Sequence, residues 1–148
     1  AEGVLPDVVQ IGNEIRSGLL FPDGELPDYK QMVQLVNAGI KGARAVADAD
    51  EMQVMIHLDQ GGRYFYLKEW FEKSFEAGLD DFDLIGLSYY PFWHGTFSDL
   101  KETLTKLLAD YHKPIMIVET AHAWRKSAQG FIDGTLFKYR LAWSYLAA

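Results

Sequence analysis

Two glutamates stand where polar residues gather. Each of four short apolar runs is followed by side chains that can do chemistry. Asn13 and Glu14 follow Val8–Ile11, and His57 and Asp59 follow Val54–Ile56. Ser88, Tyr89 and Tyr90, then Trp93 and His94, follow Leu84–Leu87. Glu119, then His122 and Trp124, follow Ile115–Val118. A pair of carboxyl groups suits glycoside hydrolysis. One protonates the departing oxygen and the other attacks the anomeric carbon, the two lying about 5–5.5 Å apart in a retaining enzyme. Their surroundings must hold the two pKa values apart. On this reading one of Glu14 and Glu119 is the proton donor and the other the nucleophile. Asn13 bonds a sugar 2-hydroxyl, and Tyr89 or Tyr90 orients the nucleophile. Trp93 and Trp124 offer flat apolar faces to a pyranose ring, and His57, Asp59 and His94 complete the expected substrate contacts.

Plainer readings exist for each residue. A lone glutamate after a strand is most often a solvated loop residue or a helix cap. His57, His94, His122 and Asp59 have types that suit zinc or iron, but they sit on three loops without a short ligand spacing, so no metal is expected. Tyr64, Tyr66, Trp70 and Phe71 have helical spacing and are expected to pack. The charged stretch from Asp48 to Glu51 reads as a solvated helix end.

The elements that must position these residues alternate between two periods. The apolar runs suit strands buried on both faces of a parallel sheet. Between them Met32, Leu35, Val36 and Ile40, then Leu67, Trp70, Phe71 and Phe75, then Leu100, Leu104, Leu107 and Leu108, recur three or four residues apart. That is the spacing of a helix with one buried face. Thr96 or Ser98 is the expected N-cap of the third helix, and Gly78 the stop of the second. Strand–helix alternation predicts an α/β fold with right-handed crossovers. Ligands in such folds bind at the carboxyl ends of the strands, where the polar residues lie. An open doubly wound sheet and a closed (β/α)8 barrel both use this pattern, and residues 1–126, with four strands, are read as one unit that would be a partial barrel in the second case. Residues 127–148 form an apolar tail, a covering helix, an edge strand or non-native sequence.

Composition narrows the classes. With 148 residues, 49% hydrophobic and 24% charged, the chain can bury a core. No apolar run approaches the roughly 20 residues of a membrane span. A net charge of −7 disfavours nucleic-acid partners. The absence of cysteine excludes disulfides and thiolate metal sites. No Gly-rich phosphate loop follows a strand, so a flavodoxin-like nucleotide binder is disfavoured.

Longer motifs carry a resemblance. The segment from Pro6 to Ile15 (PDVVQIGNEI) with Gly18 to Gly24 (GLLFPDG) resembles the acid/base region of glycoside hydrolase family 53, the endo-β-1,4-galactanases. Asp83 to Gly95 (DLIGLSYYPFWHG) resembles that family's sixth barrel strand and its loop, and Ile117 to Trp124 (IVETAHAW) its seventh strand. The resemblance runs from about Leu5 to Trp124. It implies a (β/α)8 barrel of which strands four to seven, about half, are present. It also implies Glu14 as acid/base, Glu119 as nucleophile and Asn13 as the 2-hydroxyl partner. The implied substrate is β-1,4-galactan, the side chain of type I arabinogalactan in pectin, cut with retention. The implied setting is a secreted bacterial enzyme whose signal peptide is not in this sequence. Phe21 stands where the family usually has Trp. The short loop after Glu119 departs from the loop that helps bind calcium in some bacterial members, so no cofactor or metal is expected. Other barrel glycosidases, such as a β-1,4-mannanase or a cellulase, remain the nearest alternatives.

The half barrel sets a geometric question. In a flat sheet the strands bearing Glu14 and Glu119 lie three strand spacings of about 4.8 Å apart. Only barrel curvature brings their side chains together. Exposed edges and an uncovered interior favour association into a homodimer that completes the barrel. The contrasting expectation is a non-catalytic half-barrel that binds carbohydrate or only self-associates.

Overall fold

The computed structural model describes residues 5–46 and 52–121. The main sheet has four parallel strands in the order β1 (Val8–Ile11), β4 (Gln53–Leu58), β5 (Leu84–Tyr89) and β6 (Ile115–Thr120). Helix α1 (Tyr29–Arg44) connects β1 to β4, α2 (Tyr64–Glu76) connects β4 to β5, and α4 (Phe97–Tyr111) leads into β6. The parallel strands and covering helices are those expected from the alternating pattern, and they form the portion of a (β/α) barrel that the family resemblance implies. Three elements had no periodic signal. They are a 3-10 turn at Ile15–Ser17, the two-stranded hairpin of β2 (Gly18–Leu19) and β3 (Gly24–Glu25), and the short helix α3 (Pro91–His94). Residues Asp48, Asp50 and Glu51, His122, Trp124 and the tail from Ser127 onward lie outside the described residues.

Strand residues alternate between two environments. Val54, Ile56 and Leu58 of β4 and Ile85 and Leu87 of β5 belong to the core between sheet and helices. Met32, Val36 and Ile40 of α1, Leu67, Trp70 and Phe71 of α2, and Leu107 of α4 close it from the other side. The alternate residues of the same strands, Met55, His57, Gly86 and Ser88, therefore face the barrel interior. That parity decides which polar residues reach the site.

The helix ends behave as their sequences require. The Asp28 side chain accepts from Gln31 N–H at 3.0 Å and caps α1. Thr96, not Ser98, caps α4, forming a capping box with Asp99. Gly78, at φ 93°, ends α2 as expected. Arg44, in the last turn of α1, donates to the Met52 carbonyl at 2.8 Å and to Asp83 at 2.6 Å. Asp83 also accepts from Val54 N–H at 2.6 Å. One guanidinium thus joins the amino ends of β4 and β5, opposite the end that carries the polar residues.

Candidate active site

The turn after β1 delivers Glu14. Gly12 at φ 77° opens it, and a Cβ there would overlap the Ile15 side chain. Ile15 itself is buried and fixes the turn in the core. Between them Glu14 holds a left-handed backbone, φ 48° and ψ 48°, with no capping bond from its side chain. Such strain in a residue other than glycine persists only where the surroundings impose it. Arg16 adds a tie, its Nε donating to Asp59 at 2.8 Å and linking this turn to the end of β4.

A bulge delivers Glu119. Along β5 and β6, Leu87 pairs with Ile117, but Ser88 pairs with Glu119 and Tyr89 with Thr120. Val118 is the extra residue. Ile115 and Ile117 pack against the helix-side core, so regular alternation would turn Glu119 the same way. The bulge changes the parity and aims Glu119 at the interior, as bulges near functional sites often do.

The outer strands meet through curvature. One oxygen of Glu14, one of Glu119 and a ring nitrogen of His57 all lie within 4.8 Å of one another. A flat sheet would hold the two carboxylates roughly three times farther apart. Tyr90 donates its hydroxyl to Glu119 Oε2 at 3.0 Å. Burial first, then the bond to Glu119 and the charges of both glutamates, pushes the Tyr90 phenol up to about 12. It remains a donor at any ordinary pH. His57 Nε2 lies 2.9 Å from Ser88 Oγ, and both residues are fully buried. Burial drives the His57 pKa down, against the opposing pull of Glu119, Glu14 and Asp59. With His57 Nε2 engaged by Ser88 and Glu119 Oε2 by Tyr90, two of the three groups are held by hydrogen bonds from β5 and the residue that follows it.

The other expected site residues divide. Asn13 is exposed beside Glu14, its Oδ1 accepting from Gln10 at 3.2 Å. Trp93 is 56% exposed, with its ring 5.5 Å from that of Tyr90, so it borders the site with an open face. Asp59 is tied to Arg16 and Gln60. Tyr89 does not face the glutamates. It is buried, donates to the Gly95 carbonyl at 2.9 Å and packs on Phe97. His94 is buried too, with Nδ1 at 3.1 Å from Tyr90 N–H and 3.0 Å from the Ser88 carbonyl. It shapes the loop after β5. A Cβ on Gly62 would overlap the His94 carbonyl, so the loop after β4 packs directly against it. Sequence reasoning gave no role to Ser88 or Arg16. Ser88 was detectable, standing two residues before Tyr90 on the same strand face. Arg16 was not, because its partner lies 43 positions away.

The chain matches glycosyl hydrolase family 53 over residues 1–145. It belongs to that family. The match continues past Trp124, where the motif resemblance ended. An uncharacterized protein encoded in the bgaB 5' region of Niallia circulans is 41% identical over 128 residues, covering 81% of this chain and 34% of that protein. A probable arabinogalactan endo-β-1,4-galactanase A of Aspergillus flavus is 39% identical, covering 80% of this chain and 36% of its own length. The solved family 53 catalytic domain of Ignisphaera aggregans superimposes with a TM-score of 0.75 at 37% identity, covering 83% of this chain and 33% of that one. The chain thus spans about a third of the length of these relatives.

Proposed function

We propose that this family 53 chain carries the catalytic pair of a retaining endo-β-1,4-galactanase, with Glu14 as acid/base and Glu119 as nucleophile. The observation that carries the reading is the approach of the two carboxylates to within 4.8 Å across a four-stranded sheet. That spacing suits direct attack on the anomeric carbon. An inverting pair, about 6.5–9.5 Å apart, leaves room for a water between them. Tyr90 holds the nucleophile by one oxygen. Asn13 and the open face of Trp93 supply a hydroxyl partner and a stacking surface. Two carboxyl groups provide both proton and nucleophile, so the reaction needs no cofactor. The galactanase relative supports β-1,4-galactan as substrate. A polymer of that size is met outside the cell, and among the described residues no helix is long and apolar enough to cross a membrane.

Activity belongs to the assembled barrel, completed by further residues or by a second copy. Proton NMR of galactan with the barrel-complete protein is expected to show the β-anomer of the new reducing end first. Early appearance of the α-anomer would exclude retention. Galactan retained without product would instead fit a carbohydrate-binding half-barrel. Tyr90→Phe removes one hydrogen bond to a charged carboxylate, worth about 1.5–3 kcal/mol. We expect kcat/KM to fall about 10- to 100-fold, measured by reducing-sugar release, with the fold intact by circular dichroism.

A further inference from the structure

His57 reaches the glutamate pair from beneath, inside the sheet. Its side chain is fully buried, Nε2 bonds to Ser88, and Nδ1 is buried without a protein partner. The groups around it come from every neighbouring strand. Glu14 arrives from the turn after β1, Asp59 from the end of β4, Ser88 from β5, Tyr90 from just after β5, and Glu119 from β6. The nearby cation, Arg16, is paired with Asp59.

Two opposed effects act on this imidazole. The carboxylates favour its protonated form, and burial favours the neutral one. Burial is the larger, so the neutral form of the ring is favoured relative to a free imidazole. Glycosyl transfer builds positive charge on the sugar ring. Two carboxylates lower the energy of that charge. An imidazolium within 4.8 Å of both would oppose it and would also pair with the attacking carboxylate.

Resting on the glycosidase reading above, we propose that His57 is an electrostatic positioning residue: neutral, it leaves the field of Glu14 and Glu119 to the cationic transition state, and its protonation switches hydrolysis off. The switching event is uptake of one solvent proton by the ring, with no other bond made or broken. Ser88 Oγ can donate to Nε2 or accept from it, so the bond between them survives in either state. The acidic limb of the pH profile then belongs to His57. Activity is present above its lowered pKa and lost as pH falls through it.

His57→Gln keeps a polar partner for Ser88 but cannot carry charge. In this variant the acidic limb of kcat/KM on galactan, normalised to its own plateau, should move about one pH unit lower. A limb that stays in place overturns the proposal. Imidazole nitrogen NMR of the unsubstituted chain tests the same idea without catalysis. His57 should bind its proton below the ordinary value of 6.5, and at still lower pH in Glu119→Gln, which removes an attracting carboxylate. Titration at or above 6.5, or no response to Glu119→Gln, also overturns it. Absence of hydrolysis by the unsubstituted, barrel-complete protein would refute the galactanase reading instead, leaving the NMR titration to decide the charge of His57.

Discussion

Glu119→Gln is expected to abolish hydrolysis of every β-galactoside substrate, and Glu14→Gln only of those with poor leaving groups. The difference follows from the assigned roles. The amide in Glu119→Gln keeps the shape and the bond from Tyr90 but cannot attack carbon. No leaving group repairs that loss, so kcat should fall by about a thousandfold or more on galactan and on an aryl β-galactoside alike. Glu14→Gln removes the proton that the departing sugar oxygen needs. General acid catalysis is worth about 10²–10⁴-fold, so galactan cleavage should fall by that factor. A dinitrophenolate departs without a proton, and its release should be slowed far less. Steady-state rates on the two substrates for the two variants give four numbers. If Glu14→Gln slows both substrates equally, the acid/base role is lost. If Glu119→Gln spares the aryl substrate, the nucleophile lies elsewhere. Exchange of the two patterns would reverse the roles. The strained backbone of Glu14 predicts one more asymmetry. Glu14→Gly, relieved of the left-handed strain at φ 48°, should lose activity without losing stability.

The strand and helix pattern was legible because each period reports burial directly. Val54, Ile56 and Leu58 alternate with Met55 and His57, and the helix residues that cover them recur every three or four positions. The parity also held an unused answer. Leu87 faces the helices, so Tyr89 must as well, and only Tyr90 can reach Glu119. The bulge at Val118 was not legible. It is a property of pairing between two strands, and nothing in the IVET segment alone distinguishes a bulged strand from a regular one. The approach of Glu14 to Glu119 was illegible for a related reason. It depends on curvature accumulated over four strands, whereas each motif records only its own strand. The contacts of Ser88 with His57 and of Arg16 with Asp59 join positions 31 and 43 apart, beyond the reach of local pattern. The hairpin after Glu14 escaped notice because its strands have two residues each, too few for any period to show.

The largest loss of stability should come from Phe71→Ala, far from the carboxylates. Phe71 is fully buried on α2, with Phe82 and Phe75 stacked at 6.1 Å, Tyr111 at 5.2 Å and Trp70 edge-on at 5.2 Å. These rings join α2 to the loop before β5 and to the end of α4. Truncation to Ala removes the transfer energy of the ring and leaves a cavity, together about 3–5 kcal/mol. Rigid aromatic neighbours on several sides limit collapse into the space, which favours the upper half of that range. Against a total stability of about 5–15 kcal/mol this is a large fraction, and Tm should fall by roughly 10 °C or more. Phe65, six residues earlier on the same helix and 76% exposed, is the control. Its replacement by Ala should change stability by no more than about 0.5 kcal/mol. Urea unfolding of both variants checks the contrast, and a loss below about 1 kcal/mol for Phe71→Ala would mean the cluster repacks. The consequence reaches the site through the elements it joins. Helix α2 follows the strand that carries His57, and α4 precedes the strand that carries Glu119. Loosening their contact blurs a register in which a shift of one residue turns the nucleophile away from the interior.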